Sequence, residues 1–223
     1  MRREVRAQDD GYSCGLVPGL HASADAARLA EEIAFSSERL ARMHSAPPDL
    51  LGEIRTIAAD GELERATWMC FLTVYLSPLQ AEDPFAGVRR ALIREAEHEG
   101  KLSGVELEDI PLGPRTSYEP ARADQTLRAY RQWAKHAGGQ APALIGGESW
   151  TPERRFERAF ERLALPGFGR MGRYELLAML GRLGLYDLRP QSLYLAAGGR
   201  TGTAEDLATV AAKRVLGVGE PLT

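Results

Sequence analysis

Residues 154–188 read RRFERAFERLALPGFGRMGRYELLAMLGRLGLYDL, two amphipathic runs joined by a Pro-Gly-Phe-Gly turn. In the first run Phe156, Phe160 and Leu163 recur at helical spacing, while Arg154, Arg155, Arg158 and Arg162 fall largely elsewhere. Thr151 supplies an N-cap ahead of Pro152 at the first helical position. The second run carries Leu176, Leu177, Leu180 and Leu183 on its inward face. Between them Pro166-Gly167-Phe168-Gly169 forms a tight hairpin, and its two glycines admit backbone conformations closed to other residues. The same glycines leave amide N–H groups uncovered at a helix start, where the positive end of the dipole attracts phosphate. An ordinary αα-turn uses such glycines for geometry alone, so the pattern by itself leaves both uses open.

Outward from this pair the chain keeps reading as helices. Residues 62–77, ELERATWMCFLTVYLS, are the most apolar stretch, with Trp68, Met69, Phe71, Leu72, Val74, Tyr75 and Leu76 leaving almost no polar face. Their Val, Thr, Tyr and Phe content suits a buried strand, but the length and charged lead-in favour a central buried helix, stopped by Pro78. Ser23 caps an earlier helix with Leu29, Ile33, Leu40 and Met43 at helical spacing, running to about Ser45. Pro47 and Pro48 open a second, with Leu50, Leu51, Ile54, Ile57 and Ala58 on one side and Gly61 as its stop. Residues 85–100 give another, with Phe85, Val88, Leu92 and Ala96 inward and Gly100 at its end. Residues 101–123 are broken by Pro111, Gly113, Pro114 and Pro120 and read as a long irregular loop. Asp124 caps a helix closed by Gly138-Gly139, a Gly/Pro connection follows to residue 150, and a last helix starts near Ala204. The expected fold is mainly α: residues 1–22 as a flexible tail or mis-started reading frame, and residues 23–223 as a single helical domain.

Composition sets the outer limits. The chain has 223 residues, 44% hydrophobic and 26% charged, close to the globular average of about 45–50% and about 25%. No uncharged apolar run is long enough to span a bilayer, and the charged N-terminus lacks the apolar segment of a secretory signal, so a soluble cytoplasmic protein is expected. Cys14 and Cys70 cannot make a disulfide framework or a four-ligand site, and His21, His44, His98 and His136 have no ligand spacing, so no metal or other cofactor is expected. Net charge is −3, yet residues 151–223 carry 11 Lys/Arg against 8 Asp/Glu while the first 150 carry 17 against 23. Of the 28 basic residues only Lys101, Lys135 and Lys213 are lysine, a bias that fits a GC-rich bacterial genome better than selection for phosphate contacts.

The hairpin resembles the helix-hairpin-helix motif of the base-excision DNA glycosylase superfamily. Leu165, Pro166, Gly167 and Gly169 match that motif, which here spans residues 152–186. The resemblance implies that the hairpin amides grip DNA backbone phosphates, with Phe168 in the turn and Arg170 and Arg173 nearby. It also implies a catalytic aspartate after the second helix, and Asp187 falls within about two positions of it. The buried helix ending in Leu76-Ser77 is similar to one that precedes the hairpin in that family. Several positions depart from the pattern. Met171 stands where bifunctional members place a lysine, which argues against Schiff-base chemistry; Arg173 stands where small residues are usual; Pro78 and Leu79 replace glutamines, with Gln80 next. No four-cysteine cluster exists for an iron–sulfur centre, and 36 residues follow Asp187, fewer than the superfamily's helical domain normally takes, as in a divergent or truncated member.

The implied partner is therefore DNA, without a membrane, and the implied work is base excision or base modification, with the carboxylate of Asp187 steadying a developing sugar cation or orienting water. The superfamily also has a thymine-modifying pyrophosphorylase branch, which no residue here selects. Fold analogy does not establish activity. Two other classes stay open: a non-catalytic DNA-binding or scaffold protein, and a helical protein-interaction module. Asp187 could equally serve as an ion-pair partner of Arg182 or Arg189. Residues 127–135, LRAYRQWAK, suit amphipathic packing better than base stacking. Arg115, Thr116, Ser117 and Tyr118 offer polar groups in a surface loop, and Gly198-Gly199-Arg200-Thr201-Gly202-Thr203 lacks the pattern of a phosphate loop.

Overall fold

The computed structural model describes residues 7–45, 49–76, 83, 85–98, 100–110, 112, 117–195 and 207–218. Pro47, Pro48, Ser77, Pro78, Leu79, Gln80, Arg115, Thr116, Ala204 and the glycine-rich stretch 198–203 therefore lie outside the described residues. Among those described there are nine α-helices and no strand. None of the helices is long and apolar enough to cross a membrane.

By internal packing the chain divides into two units, residues 1–41 with 194–223 and residues 42–193. The expected division was a tail of residues 1–22 and one domain over 23–223. In the first unit, residues between Asp9 and His21 form no helix but are tied down by hydrogen bonds. Asp10 accepts the Ser23 amide and hydroxyl, which caps α1 (Ser23–Ser45), and the Gly19 amide donates to Val215 O at 3.1 Å. Arg214, on the last helix (α9, Leu207–Val215), pairs with Asp25 at 3.1 Å.

The second unit is built around α3 (Leu63–Leu76), the apolar stretch, which is a helix buried on every side from Met69 onward. The packing alternatives for that stretch are settled by its neighbours. α2 (Leu50–Ala59) seats Leu50, Leu51 and Ile54 in the core, and Asp49 caps it by accepting the Leu51 amide at 2.9 Å. α4 (Ala86–Glu97) buries Val88 and Ala91 with Phe85 ahead of it, whereas Ala96 is exposed, so its inward face ends a turn earlier than expected. α5 (Ala123–His136) buries Ala123, Thr126, Leu127 and Tyr130. Its start is one residue before Asp124, whose carboxylate instead accepts the Gly104 amide across the loop at 2.7 Å. A short α6 (Gln140–Ile145) occupies the segment expected to be irregular. Glu64 makes it possible: its two oxygens accept the Gln140 amide at 2.9 Å and the Ala141 amide at 2.7 Å, an N-cap delivered from α3. Then come α7 (Pro152–Arg162) and α8 (Arg170–Arg182), as the sequence predicts, with Leu176, Leu177, Leu180 and Leu183 all buried.

An aromatic cluster joins these helices. Phe71 stacks on Trp68, Tyr75 and Tyr130 at centroid separations of 5.2, 5.3 and 3.8 Å, and Phe168 closes against it at 5.4 Å. Phe168 belongs to the turn between α7 and α8, so the core of the unit and the turn share one set of contacts.

Candidate functional site

The turn begins where α7 ends. The Leu165 amide donates to Leu163 O at 2.7 Å and the Phe168 amide to Leu165 O at 3.1 Å, closing a two-residue loop between Leu165 and Phe168. Gly167 sits at φ +72, a conformation that strains any L side chain. A Cβ there would also overlap the Thr126 hydroxyl oxygen. That hydroxyl lies 2.8 Å from Pro166 O and 3.1 Å from Arg122 O, so α5 holds the apex of the turn. Phe168 is 1% exposed and anchors the other side. Its ring lies over Gly172 on the first turn of α8, where a Cβ would come within 2.7 Å of both the ring and the Ser117 hydroxyl. Gly172 is thus what lets the Phe168 ring and the Ser117 hydroxyl pack against the first turn of α8.

Gly169 is different. It is the N-cap of α8 at φ −70 and ψ 178, extended backbone that any residue adopts, and a Cβ there would meet nothing within 4 Å. Neither conformation nor space requires a glycine. What the missing side chain does is leave the start of α8 open. Pro166 has no N–H, the Phe168 amide is engaged in the turn, and the Arg173 amide donates to Gly169 O at 3.1 Å. Among the described residues, the amides of Gly169, Met171 and Gly172 reach no acceptor. An anion placed there would meet several N–H groups and the positive end of a 13-residue helix.

The residues singled out in the sequence separate into three groups. Leu165, Pro166, Gly167 and Gly169 form the turn itself; Phe168 lies in it too, but its side chain faces the core and its amide is engaged. Arg170 stays at the helix start and donates from Nη1 to Leu193 O at 3.0 Å. Arg173 is turned back onto the protein, its guanidinium 4.4 Å over the Phe160 ring and Nη1 donating to Phe160 O at 3.0 Å. Burial, and then the charge of Arg170, lower the pKa of Arg173 from its ordinary value. A guanidinium so placed acts in packing and is not extended toward a ligand.

Asp187 lies beyond the far end of α8, a helix about 20 Å long at 1.5 Å per residue. Tyr186 and Leu188 on either side of it are buried, and the Tyr186 hydroxyl meets the Thr67 hydroxyl at 2.6 Å. The Arg189 amide donates to Pro152 O at 3.3 Å, which ties this segment to the start of α7. Asp187 Oδ2 accepts from Arg155 Nη1 at 2.8 Å; its partner is Arg155, not Arg182 or Arg189, and Arg189 faces Glu153 at 3.5 Å. The Asp187 side chain is 64% exposed and that of Arg155 16%.

The remaining candidates resolve into structure. Tyr130 is buried, Trp133 packs against it with tilted rings 5.3 Å apart, and Arg131 lies 5.4 Å over Trp68. Glu95 sits beside them, accepting from Trp68 Nε1 at 2.6 Å with Arg131 3.6 Å away, and burial raises its pKa despite both partners. A cleft of about 190 Å³ opens here, lined also by Glu64 and Gln140, but Arg131 supplies the cation its carboxylates would attract. Tyr118 is buried, donating to Gly104 O at 3.3 Å. Among the described residues no group of three His, Cys, Asp or Glu side chains could hold a metal ion. The sequence reading passed over Thr126 and Gly172; it placed Ser117 in a polar surface loop and Arg155 off the apolar face of the first helix, without assigning either the contact it makes here. Thr126 carried a signal, being the polar member of an apolar register shared with Ala123, Leu127 and Tyr130.

Residues 116–210 match a family model described as alpha-glutamyl/putrescinyl thymine pyrophosphorylase clade 3. The matched stretch is under half of the chain and takes in α5 to α8, the turn and Asp187. No curated protein and no solved structure matches.

Proposed function

We propose that this chain is a DNA-binding protein related to the helix-hairpin-helix glycosylases, seating a backbone phosphate on the open start of α8 and acting on a modified thymine. The observation that carries the reading is Gly169: a glycine that neither φ nor packing requires, at a helix start where the amides of Gly169, Met171 and Gly172 stand uncovered among the described residues. A position kept free of a side chain above uncovered N–H groups suits close approach by an oxyanion. The helix-hairpin-helix reading of residues 152–186 adds DNA as the source of that phosphate, and Arg170 adds positive charge at the same helix start.

The name of the matching family points to thymine as the base and to pyrophosphate chemistry in place of base removal. Base modification is therefore preferred to excision. Met171 argues separately against a Schiff-base lyase, which would need an amine at that position. Within this reading Asp187 is the catalytic carboxylate. Arg155 fixes its Oδ2, and Oδ1 is left to accept a proton from an attacking group. One observation favours a second reading: an exposed aspartate engaged by a largely buried arginine also serves as a simple latch, which fits a DNA binder without catalysis.

The test is a titration of labelled duplex and single-stranded DNA across a salt series, followed by assay of thymine-modified DNA. Affinity that falls with salt and drops on Gly169→Ser supports the phosphate seat. No binding at low salt by folded protein would overturn it. Asp187→Asn then separates the two readings, abolishing turnover with DNA affinity kept in the first and leaving no activity to lose in the second.

A further inference from the structure

α7 sorts its charges into rows. At 3.6 residues per turn, Glu153, Glu157 and Glu161 form one line along the helix and Arg154, Arg158 and Arg162 the adjacent line, while Phe156, Ala159 and Phe160 are buried on the opposite side. Neighbours within a row stand about 6 Å apart along the axis, a step commensurate with that between successive phosphates of a nucleic-acid strand. The basic row ends at Arg162, just ahead of the turn and its uncovered amides.

Each arginine of the row is available for a polyanion. Arg154 lies 5.2 Å over the Trp150 ring, which braces it from below. Trp150 is itself seated on bare backbone: a Cβ on Gly146 would come within 2.6 Å of the indole, and one on Gly147 within 2.9 Å. Arg158 pairs with Glu161 at 2.9 Å, but both side chains are half exposed, so the pair is worth little and exchanges readily for a phosphate. Among the described residues Arg162 has no ion-pair or hydrogen-bond partner. The acidic row alongside restricts a polyanion to a single line.

We propose that Arg154, Arg158 and Arg162 form a track for the nucleic-acid backbone that continues the phosphate seat of the turn. This rests on the DNA reading above. The two contacts differ in kind: the turn offers neutral amides, whereas the track offers three full charges. Each arginine of the track that neutralises a duplex phosphate should lower log K by about 0.9 per unit of log salt, whereas the amides of the turn add nothing to that slope.

The experiment measures affinity of the full-length protein for labelled duplex DNA from low to moderate salt. The variants are the Arg154→Ala/Arg158→Ala/Arg162→Ala triple, an Arg158→Ala/Arg162→Ala double that keeps the Trp150 stack, the corresponding Arg→Lys triple, and Arg182→Ala on α8 as a charge control. Melting curves establish that each is folded. The expected result is a salt slope reduced by about 2.7 in the alanine triple and about 1.8 in the double, restored in the lysine triple and unchanged in Arg182→Ala. A wild-type slope in the folded alanine variants, with Gly169→Ser still weakening binding, would overturn the track and leave the turn standing. An equal loss in Arg182→Ala, or polyglutamate competing as well as DNA of the same charge, would also overturn it. Absence of DNA binding by the folded wild type at low salt would remove the DNA reading and the track together, whereas binding without salt dependence would remove the track alone.

Discussion

Replacing Gly169 with serine should move stability and DNA affinity in opposite directions. At φ −70 and ψ 178 the backbone is already that of an N-cap, and open space surrounds the position of a new side chain. The hydroxyl can accept from the uncovered amides of Met171 or Gly172, a cap worth a few tenths of a kcal/mol over glycine. Removing glycine from the unfolded chain adds roughly 0.4–1 kcal/mol. Together about 0.5–1.5 kcal/mol raises the melting temperature by roughly 1–6 °C for a protein of this size. The same hydroxyl occupies the seat of the phosphate. Loss of one hydrogen bond to a charged group, about 1.5–3 kcal/mol, weakens binding roughly ten- to a hundredfold. Gly167→Ala supplies the contrast. Its φ of +72 costs an L residue about 1–2 kcal/mol. The overlap with Thr126 breaks a further bond of about 0.5–1.5 kcal/mol, so melting should fall by roughly 3–14 °C. Thermal melts and fluorescence anisotropy on the same samples read both effects. A Gly169→Ser protein that is stabilised yet binds DNA as the wild type does would refute the phosphate seat; one that is destabilised would refute the account of an unconstrained glycine.

Thr126→Val keeps the volume of the side chain but removes the donor to Pro166 O, and should cost about 0.5–1.5 kcal/mol with a matching fall in melting temperature; an unchanged melt would mean that α5 does not hold the turn. Asp187→Asn should cost no more than about 1 kcal/mol, since the carboxylate of the Arg155 pair is mostly exposed, so any larger loss of turnover reflects chemistry and not unfolding. Glu95 gives a pH signature. Burial raises its folded pKa, so the folded state holds the proton more tightly than the unfolded one, and this contribution to stability is present at low pH and lost as pH rises through the folded value. Glu95→Gln should therefore gain stability relative to the wild type as pH is raised from the ordinary glutamate range to neutrality, and a difference that is flat or reversed in melts across that range would contradict the burial argument.

The helices were legible because each is written in its own residues. The Phe156, Phe160, Leu163 face of α7, the Thr151 cap with Pro152, and the apolar length of α3 all act within a few turns of chain. What escaped is written across distance. α6 has a proline at its third position and no local cap, and it forms because Glu64, 76 residues earlier, accepts its first amides. The Thr126 bond to Pro166 spans 40 residues. Arg173 looked like a phosphate ligand because it follows the turn, but the Phe160 ring and carbonyl that capture it lie on the preceding helix. Residues 9–21 looked like a tail because the groups that bind them, Ser23 apart, sit near residue 215.

The two glycines of the turn carry the same letter and opposite explanations. Gly167 is fixed by the fold: its φ and the Thr126 hydroxyl exclude a side chain before any ligand is considered. A protein-interaction module with the same helix pair would need it equally, so it says nothing about phosphate. Gly169 meets no such constraint, and a serine there would serve α8 better. Natural proteins are seldom at their stability optimum, so the absence of the more stabilising residue leaves this position open to other demands. Under the proposed DNA reading, the uncovered amides of Gly169, Met171 and Gly172 give that absence a use, because a phosphate approaching the helix start closely meets no Cβ. Function at this turn is therefore argued from the glycine that the fold does not need.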